Sequence, residues 1–208
     1  MMRTRVFLMS LLVLATPATA ASTPGELVQE LVRAAHSGDE KAFLAAMTAG
    51  TRHAMTDAEA AGSKLKGAEK NFLAALDERF GVGQLGGGVR FPITDRKAVL
   101  SRFVNIDLIG VEQKKPSEAR LRLKTVTKIS GDQVATEEDT FPAIKKSGQW
   151  KLDLTDLTQG IIQAAAQRTA AYEHVTQEIR SGAFKDRISA LIGLAKALRG
   201  YPAGGGDK

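Results

Sequence analysis

The 208-residue chain carries 29 basic and 23 acidic residues, a formal charge of +6, and no cysteine. Disulfides, thiolate metal sites, thiol nucleophiles and lipid attachment through a leader cysteine are therefore excluded. Eight Phe, two Tyr and one Trp are too few for a base-stacking platform, and both charge signs are interspersed, so nucleic acid is not an expected partner.

Arg3 and Arg5 precede an apolar run from Val6 to Ala15, which Pro17 interrupts and Ala18-Thr19-Ala20 follows. A bilayer-spanning helix needs about 20 apolar residues, so the run is too short to cross. Its basic start and small-x-small end are those of a secretory leader. Residues 1–20 are expected to be a signal peptide cut after Ala20, which takes the charge from +6 to +4 and puts the protein in the periplasm or outside the cell. No later segment is long and apolar enough to form a transmembrane helix.

Residues 23–199 read as a single domain, and the glycine-rich end, 200–208, reads as a disordered tail. Thr23-Pro24-Gly25-Glu26 is a capping box with proline at the first helical position, and Leu27, Val28, Leu31, Val32 and Ala35 recur at helical spacing behind it. Gly38 ends this helix and Asp39 caps a short second one carrying Phe43, Leu44 and Met47. Thr56 to Glu59 reads as another capping box. A long third helix is expected to follow it through Ala61, Leu65, Ala68, Phe72, Leu76 and Phe80.

Beyond residue 90 the period changes. Val104, Ile106 and Leu108 alternate with Asn105 and Asp107, and Arg120 to Thr125 alternates more strictly. Gly131-Asp132 reads as a two-residue hairpin turn, a register that sets Lys124 opposite Asp139. Lys145 to Gly148 is the next turn, and Gln149 to Leu154 the last strand, with Trp150, Leu152 and Leu154 on one face. Two helices follow, one with a stripe of Leu157, Ile161, Ala165, Tyr172, Val175 and Ile179, the other with Phe184, Ile188, Leu191, Ala195 and Leu198. Helices, then a block of strands, then helices predict an α+β fold with an antiparallel sheet.

Gly81-x-Gly83-x-x-Gly86 has the spacing of a dinucleotide-binding turn. Such a turn leaves a strand and opens a helix, whose N–H groups hold the pyrophosphate. Here Gly81 closes a predicted helix and Pro92 disfavours another, so the stretch reads as a helix cap followed by a loop.

Ala34-Ala35-His36-Ser37-Gly38-Asp39-Glu40-Lys41-Ala42-Phe43 is similar to the break between the first helices of the NTF2-like (cystatin-like) superfamily, and Ser147-Gly148-Gln149-Trp150-Lys151-Leu152 to its final hairpin. The resemblance spans residue 25 to about 154 and implies helices packed in a curved antiparallel sheet, a cone with an apolar pocket. The segment from Glu178-Ile179-Arg180-Ser181-Gly182 to Leu191 also resembles the ending of periplasmic Mla-type phospholipid shuttles, although the shuttles' Tyr-Arg motif is replaced by Ala166-Gln167-Arg168.

These resemblances imply a non-catalytic protein that holds a small apolar molecule or lipid, with Phe72, Leu76, Trp150 and Leu152 as the ligand-binding candidates. A cell-envelope interaction or assembly module is the alternative. An isomerase-like enzyme is a second one, because enzymes of the superfamily carry a carboxylate in the cone. Asp107, between Ile106 and Leu108, is the candidate for that proton-moving role, although alternation turns it to solvent. His36, His53 and His174 lie in three separate elements without metal-ligand spacing, and no Gly-x-Ser-x-Gly elbow occurs, so no metal, cofactor or serine nucleophile is expected.

Overall fold

A computed structural model describes residues 21–82, 103–130 and 133–199. The expected signal peptide, the glycine stretch from Gly83, the Gly131-Asp132 turn and the tail lie outside these residues.

Helix α1 (Pro24–Ser37) starts as its sequence dictates: the Thr23 hydroxyl accepts the Glu26 N–H at 3.2 Å, and Pro24 opens the first turn. The Glu26 carboxylate reaches back to the Ser22 N–H and hydroxyl, at 2.7 and 2.8 Å, one residue before the capping threonine. Gly38 stops the helix at φ 67°, a conformation that costs other residues a clash between Cβ and carbonyl. Asp39 then caps the short helix α2 (Glu40–Ala45) by accepting the Ala42 N–H.

Helix α3 (Ala49–Phe80) begins earlier than its sequence suggests, because Thr48 is the cap and accepts the Thr51 N–H at 3.0 Å. Thr56 instead lies inside the helix and turns its hydroxyl back to the Arg52 carbonyl, an alternative open to any threonine one turn into a helix.

A short 3₁₀ turn (Phe103–Asn105) leads into four antiparallel strands in sequential order: β1 (Ile106–Lys115), β2 (Glu118–Ser130), β3 (Gln133–Lys146) and β4 (Gln149–Leu152). Ser147 and Gly148 both have positive φ, 51° and 81°, as the tight turn between β3 and β4 requires. Ser130 pairs with Gln133, as a two-residue connection predicts, but the register slips between Lys128 and Ser130. Lys124 therefore faces Glu138, and Asp139 faces Leu123. The expected pairing of Lys124 with Asp139 fails because a bulge adds one residue to β2, which periodicity does not reveal.

Two further helices, α4 (Thr155–Ser181) and α5 (Arg187–Arg199), complete the α+β architecture. The described residues form two hydrophobic cores. In the first, α1, α2 and the 3₁₀ turn cover one face of the sheet, burying Leu27, Leu31, Phe43, Leu121, Leu123, Trp150 and Leu152. The second joins α3, α4 and α5 through Leu65, Phe72, Leu76, Tyr172, Ile179 and Leu194. Met55, near the start of α3, still belongs to the first core.

Beyond Met55, then, α3 leaves the sheet and packs along α4, and the two run parallel. Thr51 lies beside Thr155 at one end, the Phe72 and Tyr172 rings meet edge-on at 5.5 Å, and Arg79 lies against Gly182 at the other end. Buried Thr51, Ala54, Ala58, Gly62, Leu65, Ala68, Phe72 and Ala75 on α3 are separated by threes and fours. Thr158, Ala165, Tyr172, Val175 and Ile179 on α4 are separated by threes, fours or their sum of seven. Matched narrow stripes are what two helices need to lie alongside each other at a small angle. At about 1.5 Å per residue, the 32 residues of α3 make a rod of about 48 Å.

Candidate functional site

A recess of about 770 Å³ lies at the junction of α2, the first turn of α3 and β4, and is lined by Glu40, Lys41, Leu44, Ala45, Arg52 and Lys151. Its shape follows from the brevity of α2. The last carbonyls of a helix have no partner within it, and α2 has little else. Two cations from other elements supply them. Lys151 on β4 donates to the Ala45 carbonyl at 2.7 Å, and Arg52 on α3 donates to the carbonyls of Met47 at 2.8 Å and Leu44 at 3.4 Å.

These bonds anchor two cations that share the lining with Leu44 and Ala45, and Lys41 adds a third. An ammonium has three donors and a guanidinium five, so each of these two cations has more donors than the carbonyl bonds use. The acids nearby are Glu40, which lines the recess, and Glu30 on α1. Burial raises the pKa of Glu30, and the charges of Lys151 and Arg33 pull it the other way.

A polar cluster joins the starts of α3 and α4 to the end of β4. The Leu154 N–H donates to the Thr51 hydroxyl at 2.8 Å, which in turn donates to the Asp153 carboxylate at 3.2 Å. The hydroxyls of Thr48 and Thr155 donate to the same Asp153 oxygen, at 3.2 and 2.6 Å. Burial pushes the Asp153 pKa up, but the hydrogen bonds from Thr155, Thr48 and Thr51 together hold it below its ordinary value. Thr51 is fully buried and Thr48 almost so, and together with Asp153 and Thr155 they set the starts of α3 and α4 side by side. The signal for this cluster was present in Thr48-Ala-Gly-Thr51 and Asp153-Leu-Thr155, two short cap-like strings, but nothing local says that they meet across about a hundred residues.

A second recess, about 530 Å³, lies between the far ends of α3 and α4, lined by Ala75, Glu78, Arg79, Ile179 and Arg180. Two helix C-termini converge there, so Arg79 and Arg180 answer the partial negative charge of the terminal carbonyls.

The four ligand-binding candidates are not brought together. Phe72 and Leu76 are packed in the helical core, Trp150 and Leu152 in the sheet core. All four are buried by protein side chains and none lines the recess. Asp107 is exposed and paired in register with Lys124 on the face of the sheet away from α1, turned to solvent among the described residues. His36, His53 and His174 are exposed and far apart in the fold. His53 and His174 each lie near an acid one turn along the same helix, and the described residues contain no cluster suited to a metal ion.

No family model, curated protein or solved structure matches this chain. The recess must be read from its own chemistry.

Proposed function

We propose that this is a non-catalytic binding protein of the periplasm or extracellular space that holds an anionic amphiphile in the cleft between α2, α3 and β4. One observation carries the reading: Lys41, Arg52 and Lys151 line the same recess as Leu44 and Ala45. A phosphate or carboxylate headgroup matches the cations, and the first part of an acyl chain matches the two apolar side chains. The expected net charge of +4 after leader removal favours the same ligands. Relative to the sequence-based expectation, the ligand is still a lipid-like molecule, but it sits in a surface cleft and not among the expected Phe72, Leu76, Trp150 and Leu152.

Calorimetric titration with lysophosphatidylglycerol, against zwitterionic lysophosphatidylcholine, tests the proposal. The anionic lipid should bind, and Lys41→Glu combined with Lys151→Gln should weaken it at least about tenfold. Equal binding of both lipids, or no binding of either, overturns the reading.

A second reading, an envelope assembly module, is favoured by α5, where Ile188 and Ile192 lie one turn apart and are 69% and 50% exposed. Leu191, by contrast, packs against the helical core, so the outward seam runs through the two isoleucines. Ile192→Asp should abolish partner capture from envelope extracts and leave lipid titration unchanged if this surface carries the function. The isomerase-like reading has no support, because Asp107 faces solvent.

A further inference from the structure

The two edges of the sheet differ. The outer edge of β4 is closed by backbone: Trp150 donates to the Ala21 carbonyl and Leu152 to that of Ala46, both at 2.9 Å, while the Leu152 carbonyl accepts from Thr48 at 3.0 Å. The outer edge of β1 has no backbone partner among the described residues. Unpaired strand edges are templates for another strand, and proteins blunt them with short length, bulges, lysines or a covering element. β1 has ten residues, and near its middle Ile109 and Val111 are 41% and 44% exposed. A register slip leaves Ile109 as the extra residue of a bulge, and Lys114 and Lys115 guard the far end.

The charges along β1 select a partner. Asp107 lies four residues before Val111 and Lys115 four residues after it. Two copies of β1 set antiparallel about Val111 bring Asp107 of each copy to the Lys114-Lys115 pair of the other, twice over by symmetry. A parallel arrangement of the two strands puts lysine against lysine and aspartate against aspartate. The same lysines that discourage other pairings therefore favour this one, and the two half-exposed apolar side chains fall at its centre.

We propose that β1 pairs with β1 of a second copy of this chain, antiparallel and centred on Val111, joining the two sheets into one. This goes beyond the amphiphile cleft, which lies at the β4 side of the sheet, so either proposal can fail alone.

Sedimentation velocity of the purified protein, with Val111→Glu and Val111→Lys variants, tests it. The wild type should be a dimer. Each variant places two like charges at the symmetry axis and should weaken the dimer at least about tenfold. An equimolar mixture of the two should restore it, because glutamate then faces lysine. Circular dichroism checks that each variant is folded. If either is not, Lys114→Glu with Lys115→Glu replaces it: this pair should also weaken the dimer, and adding Asp107→Lys should restore it. A monomeric wild type at about 0.1 mM, a dimer indifferent to these changes, or one dispersed by Ile192→Asp alone overturns the proposal.

Discussion

Asp153 shows how much one carboxylate can organise. Its Oδ1 receives hydroxyls from Thr48, Thr51 and Thr155, two of which stand at the first turn of α3 and one at that of α4. The folded state holds its pKa below the ordinary 3.8, so the unfolded chain binds this proton more readily. The stabilisation is therefore present above the unfolded pKa and is lost as pH falls from about 4 through the lower folded value. Asp153→Asn should cost about 1–3 kcal/mol near neutral pH and flatten the acid limb of stability, read by urea denaturation between pH 2 and 7. A variant that keeps the wild-type acid dependence would assign that dependence to other acids.

At the scale of elements, the contact between α5 and its own lead-in can be tested. A Cβ built on Gly193 would lie 2.7 Å from the Phe184 ring, which therefore packs directly on the glycine backbone. Gly193→Ala should displace the ring and destabilise α5 by about 1–3 kcal/mol, despite up to about 1 kcal/mol gained in helix propensity. Faster amide exchange confined to α5 is the expected readout, and a net stabilisation would contradict it.

Local chemistry made some elements legible in the sequence and left others hidden. Thr23, Pro24 and Gly38 bound α1 because a cap and a left-handed glycine act within one turn. The start of α3 was less readable, since Thr48 and Thr56 both offer hydroxyls and only the bond to distant Asp153 distinguishes them. The bulge in β2 was hidden because a one-residue slip leaves the neighbouring alternation intact. The stripes on α3 and α4 were visible, but a stripe does not name the surface it covers. Covering α3 with the sheet satisfied its pattern as well as covering it with α4 did. The basic cleft stayed out of view because Lys41, Arg52 and Lys151 come from three elements and converge only on the end of α2.

At the scale of the molecule, among the described residues, the two cores meet at the Asp153 cluster and the first turns of α3. Damage to one core should therefore spare the other. Phe72→Ala removes a ring that is 2% exposed and packed on Tyr172, a change that costs about 3–5 kcal/mol. Hydrogen exchange should then show opening of α3 beyond Leu65, of α4 and of α5, while β2 and α1 keep their protection. Uniform loss of protection would mean that the cores unfold as one.

The cleft between α2, α3 and β4 gives the molecule its proposed role, and occupancy tests that role most directly. Native mass spectrometry of protein purified without detergent should show an adduct with the mass of an anionic lipid or fatty acid, absent when Lys41 and Lys151 are replaced by Glu and Gln. Protein that is always empty, or an adduct retained at full strength by that variant, would contradict the account.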